Sequence, residues 1–118
     1  MTMDKQYTAE YFLEFFRKIP AKKWSVGLGD PGGPSCALGH LGCKTSSDQR
    51  PDALALGEIL RPVLEESYNY NTESRLSPNV VVFRINDDTA QTYVKGKTPR
   101  GRILSALRKA IRVGKSND

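Results

Sequence analysis

The chain has 118 residues, of which 38% are apolar and 26% are charged, and its formal net charge is +5. This length fits one domain around one core, and the composition is that of an ordinary globular protein. No apolar stretch is long enough to cross a bilayer, and no apolar signal segment opens the chain, so we expect a cytoplasmic protein without a membrane partner.

The N-terminal part of the chain predicts a helix followed by a strand. Thr8 can cap a helix, and Phe12 and Phe16 then recur at helical spacing. Pro20 ends this pattern, because a residue before proline avoids the helical conformation. Trp24–Leu28 alternates in polarity and therefore predicts a short strand.

The middle of the chain predicts two helices. Ser35 can cap a short helix over Cys36–Gly42. A longer helix is predicted from about Pro51, because apolar residues recur there at helical intervals. Pro62 lies inside this second pattern and is expected to kink or divide the helix, because proline lacks an N–H group and crowds the preceding turn.

The C-terminal part predicts a buried strand and a final helix. Val80–Ile85 is apolar except for Arg84, which is typical of a strand that is covered on both faces. Gln91–Lys95 could pair with it as a hairpin arm. Thr98 and Pro99 predict a helix start, with threonine as the cap and proline at the first helical position.

Together these elements predict an α+β fold. A short β-sheet of two or three strands would be covered by about four helices, in a single domain over residues 1–118. The ordered core is expected over residues 8–112, with residues 113–118 frayed. No internal repeat or low-complexity tract interrupts this domain.

Basic residues are concentrated in the last quarter of the chain. Residues 95–118 contain eight lysines and arginines and one acid, whereas residues 1–94 contain ten basic and twelve acidic residues. This segregation predicts a surface for an anionic partner, either a nucleic acid, a nucleotide or an acidic protein, although a solvated helix face has the same appearance in sequence. The candidate anion-binding residues are Lys95, Lys97, Arg100, Arg102, Arg108, Lys109 and Arg112.

The periodicity of the last helix predicts which of its side chains face solvent. Four apolar residues form the stripe that would face the core: Ile103, Leu104, Leu107 and Ile111. At about 100° per residue, four basic residues fall on the other side of the helix. These are Arg102, Arg108, Lys109 and Arg112.

Both cysteines and the single histidine lie within one short stretch, Ser35–Lys44. On a helix, Cys36, His40 and Cys43 would share one face. One interpretation is a cysteine hydrolase, in which the helix N-terminus activates Cys36 and His40 acts as the base. Asn86 or Asp87 would then orient the imidazole ring.

Two further interpretations of this stretch remain open. The three side chains could bind zinc, but a structural site needs four ligands. Alternatively, the cysteines are small apolar fillers of the core, because free cysteine is among the most buried residue types. We favour this last interpretation, so no metal or cofactor is expected.

The glycine-rich segment Gly27–Ser35 precedes the short helix. Glycine-rich backbone before a helix N-terminus can cradle a phosphate group, but the Walker and dinucleotide signatures are both missing. A protein that sequesters a small nucleotide is therefore an alternative, and a connecting turn is the simpler interpretation.

Three short motifs resemble a family of small bacterial and phage proteins with no established activity. The shared features are Trp-x-x-Gly followed by Cys-Ala-Leu-Gly-x-Leu, here within Trp24–Leu41, and a later Asn-Asp pair. One departure is that Gln91–Lys97 separates this pair from the last helix. The resemblance implies no catalytic residue and a shared framework of Trp24, Cys36, Leu38, Gly39, Leu41, Asn86 and Asp87.

The sequence thus favours a non-enzymatic binding or inhibitor protein of bacterial or phage origin. Its basic C-terminal helix would be presented to an anionic partner. The alternatives are the hydrolase that uses Cys36 and His40, and the nucleotide-binding protein that uses the glycine-rich segment.

Overall fold

The described part of the chain is helical. The computed structural model describes residues 7–27, 33–45, 47–67, 76–89 and 94–116. These residues form five α-helices and one short 3-10 helix, Ala21–Lys23. The α-helices are α1 (Ala9–Arg17), α2 (Ala37–His40), α3 (Pro51–Ser67), α4 (Pro78–Asn86) and α5 (Pro99–Ser116).

Two of the helix starts are confirmed as the capping pattern predicts them. The Oγ1 atom of Thr8 accepts a hydrogen bond from the backbone N–H of Tyr11 at 3.0 Å. At the start of α5, Thr98 Oγ1 accepts from the N–H of Gly101 at 3.0 Å, and Pro99 is the first helical residue. Each cap satisfies one of the N–H groups that a helix start leaves without an intrahelical partner.

Helices α1 and α5 pack against each other in antiparallel orientation. Arg100, at the beginning of α5, reaches the carbonyl of Ile19 just beyond the end of α1. Ala9, at the beginning of α1, lines the same cleft as Ala110 near the end of α5. The pair buries Phe12 and other apolar residues of both helices in one core, which brings the end of α1 and the start of α5 to one end of the molecule.

Helices α3 and α4 form a second closely packed pair, which depends on a glycine. Gly57 lies on α3 where the backbone of Pro78, the first residue of α4, crosses it. A Cβ atom at position 57 would collide with that backbone. Glycine therefore allows α4 to begin in direct contact with α3.

The predicted α+β class is wrong, because Val80–Ile85 lies in α4 rather than in a strand. Val80 and Arg84 are exposed four residues apart, while Val81, Val82 and Ile85 are buried. This is a helical pattern, but it cannot be recognised in the sequence because the exposed Val80 is itself apolar. Packing against α3 and α5 overrides the β-propensity of the valines.

The other predicted strands are also absent from the described residues. Trp24 makes a single parallel bridge with Ser35, and no strand extends from it within residues 24–27. Leu28 lies outside the described residues, and so does most of the glycine-rich segment. Of the predicted hairpin arm, residues 91–93 lie outside the described residues, and Val94 and Lys95 are not in a strand.

The short helix α2 begins later and ends earlier than predicted. Cys36, rather than Ser35, is its N-cap residue, because Ser35 is engaged in the bridge with Trp24. The helix ends at His40 in a Schellman motif, in which Gly42 N–H donates to the Gly39 carbonyl and Cys43 N–H donates to the Leu38 carbonyl, both at 3.0 Å. Gly42 has φ of 105°, a conformation that favours glycine.

The two longest helices are not interrupted where the sequence suggests. Helix α3 continues through Pro62 without a division, and Pro62 lies on its exposed side. Helix α5 continues to Ser116, past the residue where the ordered core was expected to end.

Candidate anion-binding surface

The two cysteines and the histidine do not form a common functional face. Helix α2 ends at His40, so Cys43 lies beyond the Schellman turn rather than on the same helical surface. Cys36 and Cys43 are both buried in the core as free thiols. The structure gathers no cluster of metal ligands from Cys36, His40 and Cys43.

The surroundings of Cys36 oppose its use as a nucleophile. Its side chain is fully buried, and this burial raises the pKa of the thiol above its ordinary value. The backbone N–H groups of Gly39 and Leu38 partly offset the effect, while the negative charge of Asp87 adds to it. The neutral thiol is therefore the stable form, whereas a nucleophilic cysteine needs a lowered pKa and access to substrate.

His40 is placed as a packing residue beside Trp24. The two rings meet edge to face with their centroids 4.8 Å apart. Burial lowers the pKa of His40, which favours the neutral imidazole, and the backbone at Lys23 and Ser35 partly offsets this shift. The Nε2 atom is buried and makes no hydrogen bond to the described residues, so it is not paired with the Cys36 thiol.

Asn86 is fully buried and connects segments that are far apart in sequence. Its Oδ1 atom accepts a hydrogen bond from Ala37 N–H at 3.1 Å, and its Nδ2 atom donates to the Ser25 carbonyl at 3.1 Å. The same amide donates to Asp87 Oδ1 at 2.7 Å, and the Asp87 carboxylate accepts from Gly27 N–H. Asn86 is thus fully used in holding the backbone around α2, not in orienting His40.

Alkylation tests the burial of the thiols. At about pH 8, where free thiols react readily, we expect iodoacetamide to leave Cys36 and Cys43 unmodified in the folded protein. Burial raises the pKa of Cys43 to about 11 and that of Cys36 in the same direction. Both should react once urea unfolds the chain, as measured by intact and peptide mass spectrometry. Selective labelling of Cys36 in the folded protein would restore the hydrolase hypothesis.

The predicted anion-binding residues differ greatly in their exposure. Arg100 and Lys109 are half-buried, and Arg102 is buried. The remaining four are exposed on the turn before α5 or along its outer side: Lys95, Lys97, Arg108 and Arg112. Four of the seven candidates, rather than all of them, are therefore exposed to solvent.

Arg102 lies in the core, so its predicted place on the solvent side of the helix is wrong. Only 1% of the residue is exposed. Its Nε and Nη2 atoms donate to the Asn86 carbonyl at 3.0 and 2.7 Å, and Nη1 donates to the Gly96 carbonyl at 3.2 Å. The end of α4 and the turn before α5 cover this first part of the helix, which periodicity within α5 alone cannot reveal.

The Arg100 guanidinium is also hydrogen-bonded within the protein. Its Nε atom donates to the Ile19 carbonyl at 3.0 Å, and its Nη2 atom donates to the Arg17 carbonyl at 2.9 Å. These bonds place the start of α5 directly beside the segment Arg17–Lys23. That segment carries four exposed basic residues, Arg17, Lys18, Lys22 and Lys23.

The basic residues of Arg17–Lys23 were not among the sequence candidates. They lie within seven positions that contain no acidic residue, and this local density of lysine and arginine can be recognised in the sequence. The balance of charge over residues 1–94 conceals it, because acidic residues elsewhere in this region outweigh the cluster. Only the packing of α1 against α5 brings this segment beside Arg100 at the start of α5.

Comparison with known proteins found no matching family model, no matching curated protein and no matching solved structure. The resemblance to small bacterial and phage proteins therefore stays a prediction that rests on short motifs. None of the helices in the described ranges has the length and apolarity that a bilayer crossing requires.

Proposed function

We propose that this protein is a non-enzymatic, nucleic-acid-binding protein whose exposed lysines and arginines contact the phosphate backbone. The observation that carries the proposal is the exposure of Lys95, Lys97, Arg108 and Arg112 in a segment, residues 95–116, that contains no acidic residue. Neutralising phosphates with such side chains releases counterions, which provides most of the affinity of non-specific binding.

The character of the remaining surface supports nucleic acid over an acidic protein. In the described ranges, the large hydrophobic residues with substantial exposure are Val26 and Val80. Protein interfaces usually bury an apolar centre with aromatic or aliphatic anchors, whereas nucleic-acid interfaces are polar and positively charged. A basic surface with few exposed apolar residues fits the second kind.

One surface cleft is poorly suited to a small nucleotide. A cleft of about 460 Å³ lies between the start of α1, the middle of α3 and the end of α5. Its charged lining residues are Glu10 and Glu58, which repel phosphate. The exposed cations instead lie on the turn before α5 and on its outer side, where an extended chain of phosphates can reach them.

The burial of the cysteines argues against the alternative of a cysteine hydrolase. A cysteine hydrolase requires a thiolate that substrate can reach and a base within hydrogen-bond distance. Cys36 is fully buried, and His40 Nε2 makes no hydrogen bond to it.

Fluorescence anisotropy with labelled single-stranded and double-stranded oligonucleotides tests the proposal. We expect binding at about 50 mM salt that weakens steeply as salt is raised. The double variant Lys95→Glu/Lys97→Glu should weaken binding about tenfold or more and should reduce the salt slope by roughly one for each lost phosphate contact. The matched control Lys44→Glu/Arg84→Glu removes two exposed charges outside this segment and should have a much smaller effect.

Two results would contradict the proposal. One is that the wild-type protein binds neither form of oligonucleotide at low salt. The other is that it binds poly-glutamate as tightly as nucleic acid, which would indicate an acidic protein as the partner.

A further inference from the structure

We infer that the nucleic-acid interface has two parts, and that the segment Arg17–Lys23 forms the second. This inference rests on the proposed function and extends its surface beyond the basic C-terminal region. The two parts are the turn before α5, with Lys95 and Lys97, and the end of α1 with the following 3-10 helix, with Lys22 and Lys23.

Hydrogen bonds fix the end of α1 against the start of α5. Arg100 donates to the carbonyls of both Arg17 and Ile19, which lie at and just beyond the end of α1. The indole Nε1 of Trp24 donates to the same Ile19 carbonyl at 3.2 Å. The first part of the basic segment, at Arg17 and Ile19, is therefore held by the start of α5 and by a core tryptophan.

Four lysines of the two segments carry positive charges that no acidic side chain of the described residues neutralises. The described residues include no acidic partner for Lys22, Lys23, Lys95 or Lys97, and all four are exposed. Arg17 and Lys18 differ, because both lie beside Glu14, at 2.7 and 3.9 Å. A phosphate backbone would thus contact the unpaired lysines first.

Arg100 offsets the negative polarity at the end of α1. The last carbonyls of a helix carry a partial negative charge that disfavours an anion. The Arg100 guanidinium binds two carbonyls at this end, so it offsets that charge where the second basic segment begins. The end of α1 is therefore less unfavourable for a phosphate group than an ordinary helix end.

A repeating array of phosphates suits this arrangement. One nucleic-acid strand can contact cations on two separate elements, because its phosphates repeat along the chain. Each phosphate contact then adds to the salt dependence of binding. An acidic protein could also meet both segments, and the experiment separates the two partners.

The experiment compares the paired variants Lys22→Glu/Lys23→Glu and Lys95→Glu/Lys97→Glu with the control Lys44→Glu/Arg84→Glu. We expect both of the first two to weaken oligonucleotide binding about tenfold or more, and each to reduce the salt slope by about 1.4–1.8. The control should change affinity far less, although it alters net charge equally. Circular dichroism verifies that all three variants keep the helical content of the wild type.

Lysine acetylation followed by mass spectrometry gives an independent readout on the wild-type protein. Bound oligonucleotide should protect Lys22 and Lys23 together with Lys95 and Lys97, while Lys44 reacts as in the free protein. This measurement does not depend on the folding of any variant.

The outcomes distinguish the two proposals. The two-part interface would be overturned if Lys22→Glu/Lys23→Glu binds with wild-type affinity and if oligonucleotide does not protect Lys22 and Lys23. The proposed function would stay intact if Lys95→Glu/Lys97→Glu still loses affinity clearly. An equal loss in the control would overturn the two-part interface as well, because net charge alone would then explain binding. Failure of the wild-type protein to bind oligonucleotide, or protection by poly-glutamate only, would overturn the proposed function itself.

Discussion

Replacing Arg102 with methionine is expected to lower the free energy of unfolding by about 3–5 kcal/mol. Methionine is similar in length but removes the guanidinium that donates hydrogen bonds to the Asn86 and Gly96 carbonyls. It also removes the favourable interaction of the positive charge with Asp88 and Asp87. Urea unfolding monitored by circular dichroism measures the change.

Two other variants control for effects unrelated to the buried contacts. Arg108→Met removes the same side chain from an exposed position on the same helix and should change stability by no more than about 0.5 kcal/mol. Arg102→Lys keeps the charge but cannot reproduce the three donors, so its cost should be intermediate. A loss below about 1 kcal/mol for Arg102→Met would show that the buried guanidinium is not a structural element.

Replacing Asn86 with alanine is expected to lower the free energy of unfolding by about 2–4 kcal/mol. The change removes the acceptor for Ala37 N–H and the donor to the Ser25 carbonyl, and it leaves a cavity at a fully buried site. The fluorescence of Trp24, which lies next to Ser25 in the chain, should report the same unfolding transition in urea.

The variant Asn86→Asp separates the hydrogen bonds from the volume of the side chain. It keeps the size and the acceptor for Ala37 N–H, but it places an oxygen where Nδ2 now donates to Ser25 and Asp87. We expect it to be as destabilising as Asn86→Ala. The exposed neighbour Arg84→Ala is the control, and equal stability of Asn86→Asp and the wild type would contradict the role given to the amide.

The two residues belong to one network, since Arg102 binds the backbone carbonyl of Asn86 itself. The side chain of Asn86 holds the segments on either side of residues 28–32, and Arg102 holds the end of α4 from which that side chain extends. These polar contacts connect α2, α4 and α5.

Features that depend on neighbours in the chain could be predicted from the sequence. The caps at Thr8 and Thr98, the end of α1 before Pro20 and the start of α3 at Pro51 are all local, because a cap is completed within one turn of helix. The concentration of basic residues in the last quarter is likewise a property of the chain itself. Helical periodicity also placed Arg108 and Arg112 correctly on the exposed side of α5, although Lys109, which was predicted on the same side, is half-buried.

Features that depend on distant segments were decided only by the tertiary structure. Val80–Ile85 has the composition of a buried strand, and Val81, Val82 and Ile85 are buried as expected, but the stretch packs against α3 and α5 as a helix with Val80 exposed. Arg102 is buried because the end of α4 and the turn at Gly96 cover it, whereas the periodicity of α5 alone predicts that it faces solvent. The segment Arg17–Lys23 joins the basic surface because α1 packs antiparallel to α5. In each case a non-local contact, which no local pattern encodes, determines whether a side chain meets water or protein.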